Sequence, residues 1–494
     1  MRKAANGARK NTDGHKELNG TFLDVGYLTT CRSDRKREQA LSLFRRRTKH
    51  GSLNFHQIGL SINLWRRELS HILRTSPNLI NAKRTTMVDK CSVDTTDTST
   101  VHSQQDDSQE LEEHSGWARN KEVALLSKQS AAKALQYVSR KLDGLIASEP
   151  YHNLQRKSAE ISSDVLQIRH SQLELGKWLG EGAFSEVFEI QKSFVDSVPA
   201  RRFVVKVLRP KILEKQAVFA ACALGIAREG AILSNLNHPN IIQLRAIAQG
   251  GIATYACGRS DAYFLVLDRL SVMLSDRLVE WKQRSKHLKF AFMDRARKRN
   301  DFFLERLKVA AQLADALAYL HSRNVLHRDL KPSNIGFDSE GTLKVFDFDV
   351  SKILPECEDP NEEFKLTARI GTRRYMSPEC GLGCKYNLKA DVYSFAILLH
   401  QILSLKVPFK GIGGKLQHAQ KVFLEGERPV IPSLWPISIQ RLIQQSWSCD
   451  IRARPTMNQN CETLTKQISE AKTKLEKDKP RNCRTGSETT FISQ

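Results

Sequence analysis

No run of apolar residues in this 494-residue chain approaches the roughly 20 needed to span a bilayer. The longest, Ala217 to Ala227, is short and carries Gly225, so no transmembrane segment is expected. The opening residues hold no apolar stretch resembling a secretory signal. Cysteines are scattered: of the 10, only Cys380 and Cys384 lie close together, and no second pair completes a zinc site. That scatter suits free thiols in a reducing compartment, so a cytoplasmic or nuclear location is expected. Acidic residues are in deficit, 54 against 77 Lys and Arg, for a net charge of +23. Such a balance permits an anionic partner such as nucleic acid, a membrane surface or phosphate groups, without choosing among them. Where the charge lies is therefore the informative question.

Residues 1–86 hold 18 basic and 6 acidic side chains, including the clusters Arg35-Lys36-Arg37 and Arg45-Arg46-Arg47-Thr48-Lys49. Residues 87–116 reverse the sign, with 1 basic and 8 acidic, and are rich in Ser, Thr, Asp and Gln. So few apolar residues cannot offset the ordering entropy, and 1–116 is expected to be disordered, basic and then acidic. From Trp117 an apolar stripe returns at helical spacing (Val123, Leu126, Ala134, Val138, Leu142, Leu145). It predicts an amphipathic helical linker over 117–168, stopped by Pro150 and able to dock on the following domain or on a partner. A main domain is expected over 169–461, then a helical extension and disordered tail over 462–494, from the spacing of Leu464, Ile468, Ala471 and Leu475.

The main domain carries an ordered set of motifs. Leu179-Gly180-Glu181-Gly182-Ala183-Phe184-Ser185-Glu186-Val187 lies between two strand-like runs, and its glycines let a hairpin backbone approach phosphate oxygens. Phe203-Val204-Val205-Lys206-Val207 is an apolar strand with one inward lysine, which needs an anionic partner. Arg228-Glu229-Gly230-Ala231 is helical in pattern and offers Glu229, and His238-Pro239-Asn240 turns into another strand. Leu326-His327-Arg328-Asp329-Leu330-Lys331-Pro332-Ser333-Asn334 forms a polar loop, followed by Val345-Phe346-Asp347-Phe348. Gly371-Thr372-Arg373-Arg374-Tyr375-Met376-Ser377-Pro378-Glu379 and Asp391-Val392-Tyr393-Ser394-Phe395 complete the order.

This set, from about Leu173 to Met457, resembles the protein kinase superfamily, most closely the tyrosine-kinase-like group of Ser/Thr kinases. The resemblance implies an α+β, bilobal fold: a small β-rich lobe with one main helix, a larger helical lobe, and ATP in the cleft between them. It implies that Leu179, Gly180, Gly182, Val187, Val204 and Lys206 surround the nucleotide, with Leu267 as gatekeeper and Asp268 to Leu270 as hinge. Lys206 would hold phosphates and pair with Glu229, Asp329 would accept the substrate hydroxyl proton, and Lys331 would neutralise the transferred group. Asn334 and Asp347 would ligate Mg²⁺, with Mn²⁺ as an alternative metal. Glu379 with Arg454, Asp391, and the stack Leu233, Leu244, Phe348, His327 resemble the family's internal supports. Lys331 and Thr372 resemble Ser/Thr enzymes, so the expected activity is phosphoryl transfer from ATP to Ser/Thr hydroxyls of protein substrates. The alternative is a catalytically weak member acting as a scaffold.

Three positions depart from the family pattern. Ser185 replaces a third glycine. Asp349 replaces the glycine after Asp347-Phe348, which predicts a strained backbone costing about 1 kcal/mol and an extra carboxylate. Gly336 stands where a leucine is usual under the adenine ring, predicting a floor that has lost about 1–2 kcal/mol of apolar contact. Thr367 is the expected regulatory phosphosite, with Arg328 as its cationic partner, and Thr372 is expected on the catalytic loop. Residues 282–299, with eight basic residues and one acidic, read as an inserted loop before a helix beginning near Asp301. That insertion and the basic N-terminal arm are the expected places for an anionic partner; nucleic acid is not expected as the primary one.

Overall fold

The computed structural model describes residues 128–158, 165–192, 202–290, 295–359 and 361–477. The basic arm, the acidic stretch, the first part of the stripe that starts at Trp117 and the end of the tail lie outside the described residues. The chain enters through two helices, α1 (Lys128–Ile146) and α2 (Glu149–Ser158). The helix that carries the stripe ends at Ile146, ahead of Pro150. Pro150 sits in the first turn of α2, where its missing N–H costs no helical hydrogen bond.

A six-stranded sheet follows, in the order β1 (Leu166–Ile168), β5 (Leu244–Ala248), β6 (Phe264–Asp268), β4 (Phe203–Leu208), β3 (Ser185–Ile190), β2 (Leu175–Glu181). Strand β1 pairs parallel with β5, Leu166 opposite Ala246, so the sheet takes an edge from before the boundary expected at 169. Strand β4 is nearly continuous in buried Val, Phe and Leu, as suits an interior strand covered on both faces. One helix, α3 (Gln216–Leu233), backs the sheet. Among the described residues it is the one helix long and apolar enough to cross a membrane, and most of its apolar residues are buried within this fold.

The second lobe is helical. The hinge leads through β7 (Val272–Met273) into α4 (Leu274–Phe290) and α5 (Arg295–Ser322). Three short strand pairings carry the polar loops at the lobe junction: β8 (Val325–Leu326) with β11 (Lys352–Ile353), β9 (Ile335–Phe337) with β10 (Leu343–Val345), and β7 with β9. Helices α6 (Pro378–Leu382), α7 (Lys389–Ser404), α8 (Lys415–His418), α9 (Ile437–Ser446) and α10 (Met457–Lys477) complete it. Helix α7 is buried from Lys389 to Leu403 and forms the core of the lobe. Helix α10 runs along α5 and buries Leu464, so the core continues past residue 461.

Among the described residues the 282–299 segment is helical and not the expected loop. Residues 282–290 extend α4 and 295–299 open α5. Trp281 Nε1 donates to Glu305 at 2.9 Å and Arg284 pairs with Glu305 at 2.7 Å, stitching the two helices together.

Candidate active site

Strand β4 presents Lys206 between β3 and β6, opposite Val187 on one side and Leu265 on the other. Its ammonium lies 2.6 Å from Glu229 of α3 and 2.9 Å from Asp347, which follows β10. Burial alone would lower the Lys206 pKa, but Asp347 and Glu229 outweigh it and hold the lysine protonated well above its ordinary range. Burial pushes the Glu229 carboxyl up to about 7, against the pull of Lys206 and with added repulsion from Asp347. Asp347 goes the other way: its burial is overcome by Lys206, which holds it below the usual carboxylate range.

The loop between β8 and β9 carries Asp329, Lys331 and Asn334. Asp329 Oδ2 accepts from Lys331 Nζ at 2.6 Å and from Asn334 Nδ2 at 3.2 Å, and Oδ1 accepts from the Thr372 N–H at 2.7 Å. Phe346 N donates to the Asn334 carbonyl at 3.1 Å, which fixes Asp347 beside this loop. The loop backbone is anchored from below. Asp391, at the start of α7 and fully buried, accepts from the N–H groups of His327 (2.8 Å) and Arg328 (3.0 Å). Burial would raise the Asp391 pKa, but hydrogen bonding and charge from His321, with help from His327, lower it.

Two non-glycine residues here, Arg328 and Asp347, hold φ near +70°, a region costly for L-residues and tolerated where surroundings over-determine it. Gly371 is compelled by both torsion and space. Its φ is +92°, and a Cβ would stand 2.1 Å from the Arg328 carbonyl oxygen. Asp349 differs from expectation: its φ is not in the left-handed region, so the predicted strain is absent. A Cβ on Gly225 of α3 would stand 3.5 Å from the Asp349 Cβ, and Arg228 donates to the Asp349 carbonyl at 2.8 Å.

The nucleotide-side residues are arranged around Lys206. Val204 pairs with Leu267 across β4 and β6, and Gly180 pairs with Val187 across β2 and β3. A Cβ at Gly180 would meet nothing within 4 Å, so open space adjoins the hairpin. Leu179 is exposed. The Asp268 side chain is taken up by Arg245, at 2.7 and 3.0 Å. Among the described residues the Leu270 backbone has no hydrogen-bond partner, leaving a donor and an acceptor at the hinge. The floor at Gly336 is also not as expected: Leu270 Cδ1 lies 2.7 Å from where a Cβ on Gly336 would be, so Leu270 fills that space.

Asp347 Oδ1 and Asn334 Nδ2 are engaged by Lys206 and Asp329, leaving Asp347 Oδ2 and Asn334 Oδ1 as oxygen donors. Two hard oxygen ligands suit a small divalent cation that completes its shell with water or phosphate oxygens. Supporting residues also meet. Arg454 binds Glu379 bidentately at 2.7 and 2.8 Å, both buried. The His327 and Phe348 rings stack edge-on at 5.0 Å, with Leu233 and Leu244 buried nearby in the core. No sequence pattern marks His321 on Asp391, or Tyr386, which donates to the Thr367 carbonyl at 2.7 Å and accepts from Arg328 at 3.5 Å. These are single polar side chains far apart in sequence, with no motif spacing to mark them.

A family profile described as the protein kinase domain matches residues 173–464. A probable serine/threonine-protein kinase of Dictyostelium discoideum is 30% identical over 299 residues, which cover 60% of this chain and 16% of that protein. A probable LIM domain-containing serine/threonine-protein kinase of the same organism is 35% identical over 171 residues, 35% of this chain and 25% of the relative. A serine/threonine-protein kinase of Arabidopsis thaliana is 27% identical over 309 residues, 62% of this chain and 47% of the relative. The chain thus spans less than half the length of each of these relatives.

Proposed function

Because the chain belongs to the protein kinase domain family, we propose that it transfers the γ-phosphoryl group of ATP to serine or threonine hydroxyls of protein substrates. The observation that carries this reading is the meeting of Lys206, Glu229 and Asp347 with Asp329, Lys331 and Asn334 at one lobe junction. The hinge N–H and C=O of Leu270 would meet the adenine edge.

An ammonium has three donors, and Lys206 commits two of them to Glu229 and Asp347. The third is left for phosphate oxygens, and Glu229 keeps the lysine from swinging away. Asp329 is held by three donors, so its carboxylate is oriented before substrate arrives. It takes the proton of the attacking hydroxyl as the new O–P bond forms and the bond to the ADP oxygen breaks. Lys331, beside Asp329, balances the negative charge on the group in transit. Asn334 and Asp347 would hold Mg²⁺ or Mn²⁺, which when bound neutralises charge between the terminal phosphates. Preference for Ser/Thr hydroxyls is supported by Lys331 and by Thr372 on Asp329.

The test is transfer from γ-labelled ATP to the chain itself and to a generic Ser/Thr substrate, in wild type, Asp329→Asn and Asp347→Asn. Incorporation by wild type that falls by about a thousandfold or more in either variant is the expected result. No incorporation in any of the three would instead favour a scaffold.

A further inference from the structure

Helix α3 is apolar on nearly every face, and such a helix has to be covered on nearly every face. One side lies on the sheet, and from it Glu229 reaches Lys206. The opposite side is covered by α1, which lies outside the residues matched by the family profile. Val138 and Ala134 of α1 are buried, and Leu135, Leu142 and Leu145 are half-buried against the same core. The small residues Ala220, Ala223, Ala227 and Gly230 keep α3 slim enough for packing on two sides.

Helix α2 then fastens the end of α3 to the other lobe. Tyr151 Oη donates to the Ala231 carbonyl at 3.3 Å and accepts from Asn235 Nδ2 at 3.2 Å. Ser158 Oγ donates to the Asn235 carbonyl at 2.5 Å. Next to Ser158 on α2, Lys157 donates to the Ser322 carbonyl at the end of α5 at 3.3 Å and pairs with Glu356, beyond β11, at 2.8 Å. The exposed Lys157 pair adds little stability by itself, but it places α2 across both lobes.

We propose that α1 and α2 form a built-in clamp on α3, with Val138 and Tyr151 as positioning residues that hold Glu229 within reach of Lys206. The clamp rests on the kinase reading only for its consequence; the packing stands without it. Losing the 2.6 Å contact needs a shift of α3 by little more than an ångström, and the sheet side alone leaves the outer face of α3 in water. Control of the phosphate-binding lysine thus extends to a segment with none of the catalytic motifs.

The test uses the full chain with Val138→Asp, Val138→Ile and Tyr151→Phe. Amide hydrogen exchange reads α3 whether or not the protein is active. Val138→Asp is expected to speed exchange in α3 by about tenfold or more while α7 keeps its wild-type rates. Val138→Ile should behave as wild type, and Tyr151→Phe should speed exchange at the C-terminal turns of α3. Phosphoryl transfer should fall in parallel, and a synthetic 128–158 peptide added to Val138→Asp should restore both readouts in part. Unchanged α3 exchange in folded Val138→Asp would overturn the clamp. Where that variant does not fold, Tyr151→Phe decides: unchanged exchange at Ala231 to Asn235 overturns it. An inactive wild type with a loosened α3 in the variants would refute the kinase reading and leave the clamp standing.

Discussion

Gly336 and Leu270 share one space. The glycine sits on β9, directly after the Asn334 loop, and the leucine sits at the hinge, so both border the cleft floor. A side chain at 336 and the present Leu270 rotamer are mutually exclusive at 2.7 Å. Gly336→Leu is therefore expected to weaken nucleotide binding by roughly tenfold, an overpacking cost of about 1–3 kcal/mol. Leu270→Gly in the same chain should recover most of it. Calorimetric titration with ADP over the two single variants and the double would show this as non-additivity, and strict additivity would refute it. Asp349 gives a second prediction of the same scale. Burial, then repulsion from Asp347, pushes its carboxyl from 3.8 up to about 6. The folded state holds that proton more tightly than the unfolded chain does, so the stabilisation is complete below about pH 4 and lost as pH rises through about 6. Asp349→Asn should melt at the wild-type temperature near pH 4 and higher above pH 6, by up to about 3 kcal/mol of stability. An equal offset at both pH values in thermal melts would count against the buried carboxylate as its source.

At the scale of elements, legibility divides by how far apart the partners lie. The loops carrying Asp329, Lys331, Asn334 and Asp347 were readable because their residue types recur at fixed short spacing, each spacing set by local backbone geometry. Helices were readable as periodicity: the α1 stripe of Ala134, Val138, Leu142 and Leu145 stands as drawn. Periodicity says that a face needs cover, but not what covers it, so α1 read as a linker able to dock on the following domain or on a partner, with α3 not singled out. The reciprocal signal was present in the Ala217–Ala227 run, whose uniform apolarity has a cause only once cover on both sides is known. Strand β1 was missed because three residues show no period, and its parallel partner β5 is some eighty positions away. The 282–299 segment was misread because charge density suggested a solvated loop. Lys, Arg and Gln are good helix formers, and a polar helix face is equally solvated. The bonds from Trp281 and Arg284 to Glu305 decide the matter in three dimensions.

Over the whole molecule, two long-range ties keep the cleft in register. The buried Arg454–Glu379 pair joins α6 to the turn before α10, and Asp391 joins the loop carrying Asp329 to α7. Both were legible only through resemblance, since neither pairing leaves a local trace. The charge excess finds a distribution as well: residues 170–460 hold 42 basic and 30 acidic side chains. Lys282, Lys286, Lys298 and Arg299 are exposed on the extended α4 and α5. Exposed charges act over a Debye length of about 8 Å at physiological salt, so their effect falls on encounter and not on chemistry. If the kinase acts on acidic proteins, kcat/KM for an acidic protein substrate should fall steeply as salt rises, while kcat stays nearly constant. For a neutral substrate of the same acceptor sequence the salt slope should be shallow. Reversing Lys282, Lys286, Lys298 and Arg299 to glutamate should flatten the acidic-substrate slope and lower its low-salt kcat/KM by about tenfold. Equal slopes for the two substrates in initial-rate measurements would show that this surface is only a solvated helix face.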